Sequence, residues 1–283
     1  MAAVRDEGID HVFVQFDPGP TSEIEVGQFD VQDSRSIGGA YRFIGRQINP
    51  SSTLHFRSGL ESASIPFTEC ETELFSGLNT AISVRGIEPA EQVQEWLEFL
   101  ASQHDLQAAL IIDTSGPEPD HQFKESLAKK KISGIERVVI LTSNEPLGRR
   151  DLGDASNPIF APDTPGKEGL TVPRPAPWVS PFDAGYIYDI ARQWFLQGAR
   201  AVTNIDVSDL LAPDLQSIFD RAVEFQGNYV SLVGQRIFPW RLRKNCYPTF
   251  GDHICQRFDG TTGHPRWCHA PAEFQPDIIW RQA

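Results

Sequence analysis

Positive charge is scarce in this sequence: 25 Lys and Arg stand against 38 Asp and Glu over 283 residues, a formal net charge of −13 at pH 7. A protein that grips a phosphate backbone needs many cations on one surface, so polymeric nucleic acid is not an expected partner. A small phosphorylated ligand is still compatible, since a local basic patch or a metal suffices for it. Cysteine is also sparse. Cys70, Cys246, Cys255 and Cys268 are too few and too scattered for a disulfide scaffold, which makes a reducing cytoplasm the expected setting. No stretch approaches the roughly 18 apolar residues of a membrane span, and the opening MAAVRDEGID lacks the apolar centre of a signal peptide. Neither a transmembrane segment nor a signal peptide is expected. A fixed-period repeat, a G-x-S-x-G elbow, a GxGxxG loop and a P-loop are missing too. An elbow-activated serine and the two common glycine-rich phosphate cradles therefore drop out.

What is present is an ordinary globular composition, 40% hydrophobic and 22% charged, long enough for one large domain or two small ones. Residues 1–76 read as all-β. VFVQF (12–16), EIEVGQFDV (23–31), YRFIGRQI (41–48) and TLHFRSGL (53–60) are short β-branched and aromatic runs between the turn clusters DPGP, SIGG and NPSS. A small β module is expected there. Its functional version is a carbohydrate-binding sandwich, although no residue marks a sugar site.

The grammar changes at Ala81. AISVR (81–85) reads as a strand, and Pro89 opens a helix whose Val93, Trp96, Leu97 and Leu100 form one apolar stripe. QAALIID (107–113) is a buried strand ending at an acid. Phe123 and Leu127 mark a short helix with a Lys129–Lys131 tail, and IERVVILT (135–142) is a third strand. This alternation predicts a parallel sheet with crossover helices. Residues 144–183 break it with eight prolines and four glycines, and read either as a lid over a cleft or as a proline-rich surface excursion. Ile187, Ile190, Ala191, Trp194 and Phe195 then space out an amphipathic helix ending at Gly198. Leu215, Ile218, Phe219 and Ala222 mark another helix that stops near Gly227. YVSLVGQRIF (229–238) reads as a strand, and the residues after it as irregular.

Two strands end in carboxylates. Asp113 closes ALIID, and the run Ala201, Val202, Ile205 in ARAVTNIDVSDLLAP delivers Asp206, with Asp209 behind it. In a parallel sheet both ends face one crevice, where open α/β sheets take their ligands. The competing reading makes Asp206 or Asp209 the cap of a helix start. A nucleotide-sugar site needs acids of this kind, one to accept from a base or ribose hydroxyl and another to hold a divalent metal on the diphosphate. Arg236, Arg241 and Arg243 in QRIFPWRLRK, with Lys244, are the densest basic cluster. They either neutralise a diphosphate or form a solvated edge. Cys246, His253, Cys255, His264, Cys268 and His269 match no compact zinc spacing and read as scattered buried Cys and surface His.

From Ala81 onward the chain resembles bacterial glycosyltransferases of the GT-A type, in the neighbourhood of families 2 and 92. ISVRGIEPAEQVQEWLEFLASQ is similar to their first strand and the helix after it, and ALIIDTS to the nucleotide-contacting second strand. NIDVSDLLAP is similar to the segment carrying their metal-binding DxD, and ICQRF (254–258) and RWCHAPAEF (266–274) to two downstream stretches. Three positions depart. Ser208 stands at the second Asp of the DxD, Gln256 at a Glu, and Trp280 where these enzymes often carry a His. A hydroxyl or an indole does not replace a carboxylate or imidazole on a hard metal.

The resemblance implies a GT-A-like, Rossmann-like α/β domain over residues 77–283, a mostly parallel sheet with flanking helices preceded by the all-β module. It implies transfer of a sugar from a nucleotide-sugar to a glycan or other acceptor hydroxyl. Asp113 would face the nucleoside, and Asp206 and Asp209 the diphosphate and its Mn²⁺ or Mg²⁺; in a metal-independent site, the alternative to that metal, Arg236, Arg241 and Arg243 would meet the diphosphate charge instead. Asp252, in the loop FGDHIC, reads either as the base toward the acceptor hydroxyl or as an acidic turn residue. The departures point to a second reading, a degenerate relative serving as a glycan- or protein-binding module. A third, an unrelated α/β binding domain, survives if the strands of Asp113 and Asp206 are not neighbours.

Overall fold

The computed structural model describes residues 2–6, 9–15, 24–37, 40–48, 52–58, 61–154, 174–214, 216–235, 237–239, 249–256, 263, 265–271 and 280. The chain divides into two compact units. The first comprises Met1–Ser76, Ala184–Gly198 and Phe274–Gln282, the second Gly77–Asp183 and Ala199–Glu273.

Seven strands of the first unit form one sheet: β1 (Ala2–Asp6), β2 (Ile9–Gln15), β3 (Ile24–Gly27), β4 (Phe29–Ile37), β5 (Ala40–Gln47), β6 (Thr53–Ser58) and β7 (Glu61–Glu69). Their order is β3-β6-β7-β1-β2-β5-β4, antiparallel except for the β1–β7 pair. β3 and β4 lie at opposite ends of that order, yet only Gln28, with a φ of 58°, separates them in the chain. A sheet whose two ends share one turn must roll up on itself. The roll gathers Val12, Phe29, Phe43, Leu54, Phe56 and Ile65 into a core. At Gly45 the neighbouring strand comes so close that a Cβ would lie 2.0 Å from the Asp30 carbonyl oxygen, beside a bulge between Val31 and Asp33. The single strand expected over 23–31 is thus two strands broken at Gln28. β1 and β7 have no counterpart in the sequence reading, because AAVRD is short and ESASIPFTE is largely small and polar.

The 184–198 segment belongs to this unit and not, as expected, to the α/β domain. It forms a helix, Tyr186–Ala191, that runs on as a π-helical segment, Arg192–Leu196. The spacing predicts one apolar stripe, but Tyr188, Asp189, Arg192 and Gln193 are buried as well, so the helix is enclosed on more than one face. Mutual pairing makes the buried charges tolerable. Asp189 Oδ2 accepts from Arg42 Nη1 at 2.8 Å, Asp189 Oδ1 lies 3.7 Å from Arg192 Nη1, and Arg42 Nη2 meets His11 Nδ1 at 3.1 Å.

The second unit is α/β. β8 (Asn79–Arg85), β9 (Ala108–Asp113), β10 (Arg137–Thr142) and β11 (Ala201–Asn204) run parallel in the order β10-β9-β8-β11. Between them come α1 (Ala90–His104) after β8 and α2 (His121–Ala128) after β9. β12 (Tyr229–Leu232) forms the far edge, and β13 (Ile237–Pro239) pairs with β14 (His253–Gln256) as a separate ribbon. β15 (Arg266–His269) lies between β11 and β12, antiparallel to both, so five of the six strands of the main sheet point one way.

The reasons are local for the first half. Pro89 sits at the N-cap of α1, and Val93, Trp96, Leu97 and Leu100 are buried as the stripe predicts. They pack with Ala109, Ile111, Ala201 and Ile205 on one face of the sheet. The second half departs from expectation. The strand expected over 229–238 ends at Leu232, short of Gly234, before β13 begins at Ile237. β15 was expected to be irregular, since Arg-Trp-Cys-His does not read as an interior strand, yet all four residues are buried. The ends of the 144–183 stretch are tied together. Arg149 N donates to Pro181 O at 2.8 Å and Asp183 N to Leu147 O at 2.9 Å. Residues 155–173 lie outside the described residues. Among the described residues, no helix is long and apolar enough to cross a membrane.

Candidate functional site

In chain order the second unit's sheet starts at β8, steps to β9 and β10 on one side, then to β11 on the other. The crossover direction reverses between β8 and β11, and a crevice outside the carboxyl ends of the strands at such a point is where α/β sheets take ligands. Two charged clusters stand at these strand ends.

The first is organised by Arg85, the last residue of β8. Its Nη1 donates to Asp113 Oδ1 at 2.9 Å, its Nη2 to Asp120 Oδ2 at 3.0 Å and its Nε to Glu88 O at 2.9 Å. The guanidinium also sits 3.6 Å over the Phe123 ring. Asp120 caps α2 by accepting from Phe123 N at 2.9 Å. That bond, with Arg85 beside it, holds the Asp120 carboxyl below the usual range. The sequence reading turns Asp113 toward a nucleoside. In the structure Asp113 is fully buried, its Oδ1 accepts from Arg85 Nη1 and, at 3.2 Å, from Ser115 N, and its Oδ2 has no partner among the described residues; through Oδ1 it ties together the turns after β8 and β9. Its strand is not next to β11, because β8 lies between them, which keeps the third reading open.

The second cluster follows β11. Asn204 is fully buried, and neither polar atom of its side chain meets a partner among the described residues. The register sets Trp267 opposite Asn204, so Arg266 lies one step further, beside the turn that carries Asp206. Arg266 Nη2 donates to Asp206 Oδ2, and Arg266 Nε to Asp209 Oδ2 at 2.7 Å. Asp209 Oδ2 also accepts from Asp206 N at 3.2 Å. The other oxygen of Asp206, Oδ1, is buried without a partner among the described residues. Burial pushes Asp206 up to about 6 from 3.8, Arg266 opposes the rise, and Asp209 and Glu88 add to it.

The donor set does not fit the Mn²⁺ or Mg²⁺ expected between Asp206 and Asp209, because a guanidinium already bonds both carboxylates. Among the described residues no three His, Cys, Asp or Glu are grouped to hold a metal. Beside the triad opens a cavity of about 760 Å³, lined by Ser208, Asp209, Leu210 and Leu211 after β11, by Leu232 at the end of β12 and the three residues after it, and by Phe250, His253 and Arg266.

Other expected residues fall elsewhere. Asp252 caps a 3-10 turn, its Oδ2 accepting from Thr249 N and Oγ1, both at 2.9 Å. Its neighbours Phe250 and His253 line the cavity. Arg236, Arg241 and Arg243 lie outside the described residues. Trp280 groups with the first unit, its ring 5.7 Å from the Arg192 guanidinium. Cys268 is a core residue of the sheet, and burial pushes its thiol up. Arg85, Asn204 and Arg266 were not singled out from the sequence. All three lie inside stretches that carry the resemblance, Arg85 in ISVRGIEP, Asn204 at the start of NIDVSDLLAP and Arg266 at the start of RWCHAPAEF, but none stood out there as a site residue.

No protein-family model matches this chain, and no curated protein matches it.

Proposed function

We propose that the second unit is a glycosyltransferase-like domain that binds a nucleotide-sugar outside the carboxyl ends of β8 and β11 and passes the sugar to the hydroxyl of a glycan or other acceptor. The observation that supports this best is Asp206. β11 delivers it to the reversal point of a mostly parallel sheet, with one carboxylate oxygen unpartnered among the described residues; the cavity of about 760 Å³ is lined not by Asp206 itself but by Ser208, Asp209 and Arg266 next to it. Asp206 and Asp209 orient Arg266, Arg266 and Asp209 face the ligand space, and Arg85 with Asp113 stiffens the neighbouring strand ends. A cytoplasmic setting, expected from the scattered cysteines, goes with this reading. Calorimetric titration of UDP and GDP tests it. Saturable binding that Asp206→Ala weakens about tenfold or more is expected; no binding to the wild-type chain, with or without Mn²⁺, sinks it.

The second reading, a binding module that transfers nothing, draws on a different observation. Each strand-end carboxylate already has a protein partner, Asp113 in Arg85 and Asp206 with Asp209 in Arg266. It predicts ligand binding with no nucleotide released over time from any nucleotide-sugar.

A further inference from the structure

We infer that Arg266 is a built-in cation in the seat between Asp206 and Asp209 that a divalent metal would take, so that the second unit binds its ligand without a metal. The part about a nucleotide ligand rests on the function proposed above; the part about the metal seat does not.

Arg266 reaches both carboxylates through one edge of the guanidinium, Nε to Asp209 Oδ2 at 2.7 Å and Nη2 to Asp206 Oδ2. Two donors held in one plane suit a pair of acceptors in a way that a lysine ammonium does not reproduce. Arg266 is 8% exposed. A metal that captured the two carboxylates would take both of these counter-charges away from a buried guanidinium, which is unfavourable. Mn²⁺ or Mg²⁺ also needs about six oxygen ligands at roughly 2.0–2.2 Å. Between the two acids the sequence Asp206-Val207-Ser208-Asp209 supplies only the neutral Ser208 hydroxyl. Asp209, Ser208 and Arg266 all line the cavity, so the seat faces the space a ligand would enter.

The test is titration of Mn²⁺ alone into the full chain, followed by its electron paramagnetic resonance signal, for wild type, Asp206→Ala, Arg266→Gln and Arg266→Lys. The wild type is expected to show no Asp206-dependent Mn²⁺ site up to roughly 1 mM. Arg266→Gln frees two carboxylates and is expected to gain a site at least about tenfold tighter, lost again when Asp206→Ala is added. Arg266→Lys, which keeps the charge, is expected to gain none. An Asp206-dependent Mn²⁺ site in the wild type overturns the inference, and that arm needs no folded Arg266 variant. UDP and GDP are then titrated in EDTA and in Mn²⁺. Equal affinity is expected, and an affinity about tenfold higher in Mn²⁺ overturns the inference. If neither nucleotide binds under either condition, the nucleotide reading fails and the Mn²⁺ arm alone decides the role of Arg266.

Discussion

Arg42 and Asp189 meet across 147 positions of sequence, both essentially shut off from water. With Arg192 also on Asp189, the first unit buries two guanidinium groups around one carboxylate, and removing that carboxylate leaves both without it. Asp189→Asn is expected to cost about 3–5 kcal/mol, read as a lower urea midpoint; a change below about 1 kcal/mol would show that the pair does not hold the unit together. His11 is the pH-sensitive member. Burial, then Arg42 and Arg192, hold it down to about 3 from 6.5. The unfolded chain therefore takes up this proton first. The stability His11 contributes is whole above about pH 6.5 and is lost as pH falls toward 3, at ~1.4 kcal/mol per pH unit. Urea midpoints compared at about pH 7 and about pH 5 should drop in the wild type and drop less in His11→Gln. Asp206 has the opposite sign. Raised from 3.8 to about 6, its contribution is whole below 3.8 and is lost as pH rises through about 6. Asp206→Asn should remove that part of the profile and leave the His11 part.

Among the elements, α1 shows how far local pattern reaches. Its stripe of Val93, Trp96, Leu97 and Leu100 is buried, and Trp96 is fully enclosed. Trp96→Ala is expected to cost about 3–5 kcal/mol by transfer and cavity terms, measured by denaturant unfolding; a cost under about 1 kcal/mol would mean the site collapses around the gap. α1, α2 and the strands β8 to β10 were readable because period and punctuation agree with burial along each of them. The helix Tyr186–Ala191 and its π-helical extension were half readable. The apolar positions identified a helix, but the burial of Asp189 and Arg192 was not visible in them: Asp189 is paired with Arg42 of the distant β5, and Arg192 with Asp189 one turn away. β15 was not readable at all. Its residues have no strand alternation, and its burial comes from two neighbours it meets only in the folded sheet. The same holds for the site. Asp206 and Asp209 stand out at the end of an apolar run, whereas Arg266 acquires meaning only through β15.

At the scale of the whole molecule, the first unit is assembled from separate pieces of chain, with Met1–Ser76 and Ala184–Gly198 among them. A boundary at residue 76 therefore cuts through this unit. A chain ending at Ser76 keeps Arg42 and His11 but lacks Asp189, and burying Arg42 unpaired is costly. Such a chain is expected to melt without a cooperative transition in circular dichroism, while the full chain melts cooperatively. A sharp transition in the shortened chain would show that the seven-stranded roll stands without the 184–198 segment.

Sequence alone determined the alternation of strand and helix from Asn79 to Thr142, the β-rich character of the first 76 residues, and the presence of acids at the ends of two strands. These follow from side-chain period, turn chemistry and composition, which act over a few residues. Tertiary structure decided which strands are neighbours, that β8 separates the strands of Asp113 and Asp206, and that a guanidinium from 57 and 60 residues away fills the space between Asp209 and Asp206. Ion pairs at that separation depend on the register of strands that pair late in sequence. No local pattern encodes that register; the packing of the complete sheet does.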